Sequence, residues 1–139
     1  MENAAINFQE LTEMALQARE RAYVPYSHFA VGAALLCKDG TVYQGCNIEN
    51  AAYPATNCAE RTAFFKAVSE GRRDFAAIAV AGGPAGEAPA AFCPPCGVCR
   101  QVMREFCGTD FTIVLSDGGK IQAYTLEELL PCSFGPENL

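Results

Sequence analysis

Two short segments far apart in the chain must meet if it is to do any chemistry. They are Cys58-Ala59-Glu60-Arg61 and Pro95-Cys96-Gly97-Val98-Cys99. Together they offer three thiolates able to hold one metal ion, and one carboxylate placed beside it. Structural zinc sites close with four protein ligands, whereas catalytic ones keep a position for water. Three cysteines and a glutamate therefore read as a catalytic zinc site, and any fold for this chain has to bring both segments to one point.

Cys58 and Cys96 each fall at the start of a predicted helix, where unpaired backbone N–H groups and the helix dipole favour a thiolate. Cys99 follows Cys96 by one turn of helix, so both sulfurs reach one ion. Cys93-Pro94-Pro95-Cys96 is a second C-x-x-C. Its prolines have no N–H to offer a sulfur and hold the chain extended. Gly97 and Val98 keep theirs, which favours Cys96 and Cys99 over any pair using Cys93. A redox dithiol would leave Cys58-Ala59-Glu60 unexplained, and a structural zinc site would need a fourth ligand. Cys37, Cys46, Cys107 and Cys132 lack paired spacing and read as small buried hydrophobes or surface thiols. His28, the single histidine, reads as a core or surface residue before it reads as a ligand. Three thiolates and Zn²⁺ leave net negative charge, so positive charge is needed nearby. Arg61 lies on the same predicted helix as Cys58 and can donate to the sulfurs; its other reading is a solvated helix arginine.

Asn7 followed by Glu10 resembles a capping box, and Leu11, Met14, Ala15, Ala18 and Ala22 recur at helical spacing, predicting a helix over about 8–21. The apolar run 30–37, the turn Lys38-Asp39-Gly40 and the run 41–47 predict a hairpin. Residues 47–57 read as a loop, 58–70 as a helix closed by Gly71, and 75–81 as a buried strand. A Gly/Pro/Ala loop over 82–91 precedes a helix over 97–106. Strands are predicted over 111–115 and 121–124, and Thr125 with Glu128 caps a short last helix. This order predicts an α/β fold, three-layer α/β/α with one mixed β-sheet, in a single domain over 1–139.

Net charge is −6 and the pI about 4.7, and the only adjacent basic residues are Arg72 and Arg73. A polynucleotide binder draws its affinity from a basic stripe, so nucleic acid and anionic membrane are not expected partners. No apolar run approaches the length of a membrane span. Met1 to Asn7 lacks the basic flank and apolar core of a signal peptide. The expected compartment is the reducing cytoplasm, where eight cysteines mean metal or catalysis before disulfides. Half the residues are apolar, which points to burial between subunits.

On these residues the chain resembles the small homotetrameric zinc-dependent cytidine deaminases. The resemblance runs through five ordered blocks: Tyr26 to Leu35, Gly45 to Tyr53, Cys58 to Thr62, Cys96 to Gln101, and Leu129-Leu130-Pro131 with Phe134 in the tail. A glutamate ahead of a Pro-Cys-x-x-Cys pair is also the mark of zinc nucleobase deaminases. The resemblance implies one Zn²⁺ per chain on Cys58, Cys96 and Cys99, with Glu60 moving protons. It implies Asn47 and Glu49 on the ribose hydroxyls, in a loop running to Tyr53, and Phe29 against the base. The backbone of Ala59 and the carbonyl before Pro95 would read the pyrimidine edge. Phe134 would reach into a neighbouring subunit's site. Pro94 stands where the family shows serine, and Val98 where alanine is common. From the residues alone, Asn47 reads equally as a turn residue, Glu49 as a solvated charge and Phe29 as core.

The implied activity is hydrolytic deamination of cytidine and deoxycytidine to uridine and deoxyuridine with loss of ammonia, in pyrimidine salvage, by a zinc-activated water and a glutamate proton shuttle. The implied substrate is a small nucleoside, since Gly82-Gly83-Pro84-Ala85-Gly86 lacks the lysine and strand–helix context of a phosphate-binding loop. The alternatives are a deaminase of a related aminopyrimidine nucleoside or antibiotic, a structural zinc or nucleic-acid module, and a polynucleotide-editing deaminase. The acidic charge counts against the last two.

Overall fold

Side-chain alternation along β1 (Phe29–Cys37) sets up the layers of the molecule. Val31, Ala33, Leu35 and Cys37 face one core, and Ala34 and Leu36 face another. A computed structural model describes residues 6–139. The first core is covered by α2 (Ala59–Ser69), α3 (Gly97–Phe106) and α4 (Leu126–Leu129). The second is covered by α1 (Phe8–Ala18) through Leu11 and Ala15. Between them lies a five-stranded sheet in the order β2-β1-β3-β4-β5, completed by β2 (Val42–Cys46), β3 (Phe75–Pro84), β4 (Thr112–Ser116) and β5 (Ile121–Thr125). Among the five strands described, β3 and β4 pair in parallel and the other neighbours antiparallel. A parallel pair needs a crossover connection, and α3 is that crossover. The result is the expected three-layer α/β/α arrangement with one mixed sheet.

Local chemistry explains the element ends. Asn7 and Glu10 form a reciprocal capping box on α1, and Thr125 and Glu128 form one on α4. Beyond α2, Gly71 adopts φ 92° while Gly71 N–H donates to the Val68 carbonyl and Arg72 N–H to the Ala67 carbonyl. That is a Schellman ending, and the left-handed residue in it is the predicted glycine. Two boundaries differ from the sequence reading. The α-helix α1 stops at Ala18 and tightens into a 3₁₀ turn over Arg19–Arg21. β3 runs on to Pro84, through Gly82 and Gly83, where a loop is predicted from the low strand preference of glycine and proline. Both glycines pair with β1, and a Cβ on Gly82 would stand 2.8 Å from the Cys93 sulfur. The missing side chains make room for the segment that leads to the second cysteine pair.

Among the described residues no helix is long and apolar enough to cross a membrane. The reading of the chain's start as free of a signal peptide falls largely on residues 1–5, outside the described residues.

Gly45 fixes how closely α2 approaches the sheet. A Cβ there would collide with the Ala59 carbonyl and stand 2.6 Å from the Ala63 nitrogen, both backbone atoms of α2. Overpacking against backbone costs about 1–3 kcal/mol. Gly45→Ala should lower stability by that amount in urea titrations at fixed zinc concentration, and should weaken zinc retention because α2 begins next to Cys58.

Candidate metal centre and active site

The loop after β2 ends at Cys58, the N-cap of α2, and the loop after β3 ends at Cys96, the N-cap of α3. Neither cysteine side chain makes a capping hydrogen bond to the backbone of its own helix, so both sulfurs are available for other work. The Sγ atoms of Cys58, Cys96 and Cys99 lie within 4.8 Å of one another. Cys58 and Cys96 are 3.8 Å apart, sulfur to sulfur. Zn–S bonds of about 2.3 Å at tetrahedral angles place sulfurs roughly 3.8 Å apart, so the cluster has the dimensions of a zinc site. Cys99 is buried, Cys58 half-buried and Cys96 exposed, which leaves one edge of the cluster facing outward. Three thiols with no histidine suit zinc, and three ligands leave a fourth position for water.

The surroundings favour negative charge on sulfur. The Cys58 thiol is brought down to about 5 by the hydrogen bond it accepts from the Cys99 thiol, aided by Arg61, whose Nη2 lies 3.2 Å from Cys58 Sγ. Cys99 moves the other way, because it donates that proton and is buried. Burial works against the Arg61 charge, but the Cys58 and Cys99 sulfurs outweigh it and raise its pKa above the ordinary arginine value. Glu60, on the first turn of α2, is 4% exposed. Burial pushes its carboxyl up to about 7, and the neighbouring Cys58 charge adds to the rise. A buried carboxyl that titrates near neutrality beside a metal-binding cluster is equipped to accept and return a proton.

The predicted substrate-binding residues already have internal partners. Asn47 bridges the start of β1, its Oδ1 accepting from Val31 N–H and its Nδ2 donating to the Phe29 carbonyl, both at 2.9 Å. Glu49 accepts from the backbone N–H of Tyr26 at 3.0 Å and of Ser27 at 3.1 Å, and from the Ser27 hydroxyl. The Ser27 hydroxyl is the main cause of its lowered pKa. Tyr26, Ser27, Glu49, Asn50, Tyr53 and Thr56 line a hollow of about 310 Å³. Tyr53 and Phe29 are both exposed, and Ala59 is fully buried. A larger groove of about 590 Å³, between α1 and residues 85–89, contains neither the thiols nor Glu60, so size does not locate the chemistry here. Phe134 is 58% exposed, with its carbonyl held by Gln101 Nε2 at 2.9 Å.

Two sequence candidates lie outside the cluster. His28 sits exposed in a left-handed turn at φ 56° before β1. Cys93 packs against Gly82, and burial pushes its thiol up to about 11, with the Glu60 and Cys58 charges adding. The sequence reading includes Arg100 and Gln101 in a family block without giving them a role, and does not single out Arg104 on α3. Arg100 donates to the Pro95 carbonyl at 2.7 Å and to that of Leu129, tying the ligand turn to the C-terminal segment.

A sequence model of the cytidine and deoxycytidylate deaminase zinc-binding region matches residues 6–115. The cytidine deaminase of Halalkalibacterium halodurans is 58% identical over 94% of this chain and 96% of its own length. The blasticidin-S deaminase of Bacillus cereus is 31% identical over 90% of each. The crystal structure of cytidine deaminase from Burkholderia pseudomallei superposes with a TM-score of 0.85 at 46% identity, covering 93% of this chain and all of that one. The chain belongs to the cytidine and deoxycytidylate deaminase family. Family and donor set together give one zinc ion per chain.

Metal analysis of purified variants separates the two C-x-x-C pairs. Cys93→Ala should keep one zinc per chain, because its thiol is a packed neutral group. Cys96→Ala should lose most of it. Equal loss in both would put Cys93 among the ligands.

Proposed function

We propose that the chain hydrolyses cytidine and deoxycytidine to uridine and deoxyuridine, releasing ammonia, as a step of pyrimidine salvage. The observation that carries this reading is the buried Glu60 carboxyl beside three converged thiols, in a chain similar along nearly its whole length to a cytidine deaminase. Cys58, Cys96 and Cys99 hold the zinc in this reading, and Arg61 offsets their charge. Zinc in that donor set supplies a Lewis acid that makes water a nucleophile near neutral pH. Glu60 takes the proton released as water adds to carbon 4 of the ring and delivers it to ring nitrogen 3. It then carries the remaining hydroxyl proton to the exocyclic amino group. That group leaves as ammonia, and a carbonyl forms at carbon 4. A carboxyl titrating near 7 suits a group that serves first as base and then as acid.

After its internal bonds Asn47 retains one amide N–H and one carbonyl lone pair, and Glu49 retains one lone pair, on Oε2. These are assigned to the ribose hydroxyls, with Phe29 and Tyr53 beside the nucleoside. The Ala59 backbone and the carbonyl before Pro95 are assigned to the ring edge. Pro94 keeps that carbonyl although it replaces a serine. The exposure of Phe29, Tyr53 and Phe134, at 41%, 75% and 58%, supports a homotetramer in which neighbours complete each site. The remaining assignments are one catalytic domain over 1–139, a cytoplasmic location, and no nucleic-acid or membrane partner.

Loss of cytidine's ultraviolet absorbance on adding purified protein, with zinc measured on the same sample, tests the activity. Blasticidin S belongs in the same panel, because a deaminase of that antibiotic is 31% identical. Glu60→Gln should keep zinc and fold yet lose at least about 100-fold in turnover, since the amide cannot carry protons. Near-native rates in that variant would remove Glu60 from the mechanism. Light scattering should read a tetramer, and a fully active monomer would overturn the shared site.

A further inference from the structure

α3 carries two loads. Its first turn supplies Cys96 and Cys99, and its outer side holds the C-terminal segment. Arg104 is only 7% exposed. Its Nε donates to Ser133 Oγ at 2.8 Å, Nη1 donates to Glu137 Oε1 at 3.1 Å, and Nη2 donates to Glu137 Oε2. Gly135 lies against the guanidinium so closely that a Cβ would collide with it. One turn earlier Gln101 holds the Phe134 carbonyl, and Arg100 holds that of Leu129. Phe134 therefore projects from a strap fastened on both sides of it. Just before it, Cys132 takes a left-handed φ of 53°, a conformation kept only where the surroundings impose it.

A buried arginine is costly unless its charge is paired and its donors are used. An apolar residue at position 104 would cover the same helix face without that cost. What the arginine adds is a bidentate, planar grip with a fixed direction. Because α3 also bears two of the metal-binding thiols, the grip sets Phe134 in register with the metal edge.

We propose that Arg104 is a positioning residue: through Ser133, Gly135 and Glu137 it latches the C-terminal strap to the metal-bearing helix and fixes where Phe134 projects toward a second copy's active site. This rests on the assignment of Phe134 to a neighbour's site.

The test uses full-length, zinc-loaded Arg104→Met, Glu137→Gln, Phe134→Ala and the double variant Phe134→Ala/Glu137→Gln. Glu137 is 64% exposed, so its amide variant will fold even if Arg104→Met does not. The latch variants should raise KM for cytidine about 3- to 10-fold with kcat within about twofold and zinc content unchanged, a loss confined to binding. The double variant should be no worse than Phe134→Ala alone, because both changes act through one side chain. Carboxypeptidase should trim the latch variants from Leu139 several times faster than the parent. Unchanged KM in Glu137→Gln, or additive losses in the double variant, would overturn the positioning role. Trimming is read without any substrate. If the chain fails to deaminate cytidine, faster trimming still supports the latch and equal trimming still overturns it.

Discussion

Everything in this chain is arranged around gathering negative charge at one place. Three thiols and a carboxyl sit within a few side chains of one another, and in their ionised forms they repel. Three things offset that repulsion: the N-terminal ends of α2 and α3, the Arg61 guanidinium, and a divalent cation when it is bound. The fold follows from bringing those two helix ends together. Gly45 lets α2 settle close on the sheet, and Gly82 clears space for the segment before α3. Neither glycine is needed for a turn. Each is needed because two backbones, or a backbone and a sulfur, must approach more closely than a Cβ allows.

α3 then links the metal edge to the end of the chain. Arg100 ties the ligand turn to Leu129, and Gln101 and Arg104 carry the tail beyond it. The exposed aromatic at position 134 is thus held by the same element that positions the metal. A displacement of α3 would shift both together and keep their spacing.

Much of this was legible in the sequence, for physical reasons. The helix read over 97–106 is α3 with the same bounds, and two prolines that hold the chain extended stand just before its N-cap Cys96. The Asn7–Glu10 and Thr125–Glu128 boxes and Gly71 mark helix ends by local hydrogen bonding alone, so no tertiary information was required. The extension of β3 through Gly82 and Gly83 was not legible. Glycine there serves packing against Cys93, and local preference points to a loop. Arg104 was missed for a related reason. A charged residue on a short amphipathic helix reads as solvent-facing, and only the fold shows the tail that covers it. Asn47 and Glu49 looked ambiguous because they have structural partners as well as spare capacity. Residue type alone does not distinguish a turn residue from a ligand-binding one.

The contrast between Cys93 and Cys58 shows how environment decides what a cysteine does. Both contribute to the packing around the same core. Cys58 caps a helix and meets an arginine and a second thiol, and its proton is lost at about 5. Cys93 precedes two prolines that offer it no N–H, is pressed against Gly82, and burial pushes its thiol up to about 11. A metal ion selects thiolates, and the free energy of removing a proton counts against any ligand that resists losing it. Proton affinity alone does not choose the ligands, because buried Cys99 also holds its proton firmly and yet converges with Cys58 and Cys96, whereas Cys93 packs against Gly82 outside that cluster.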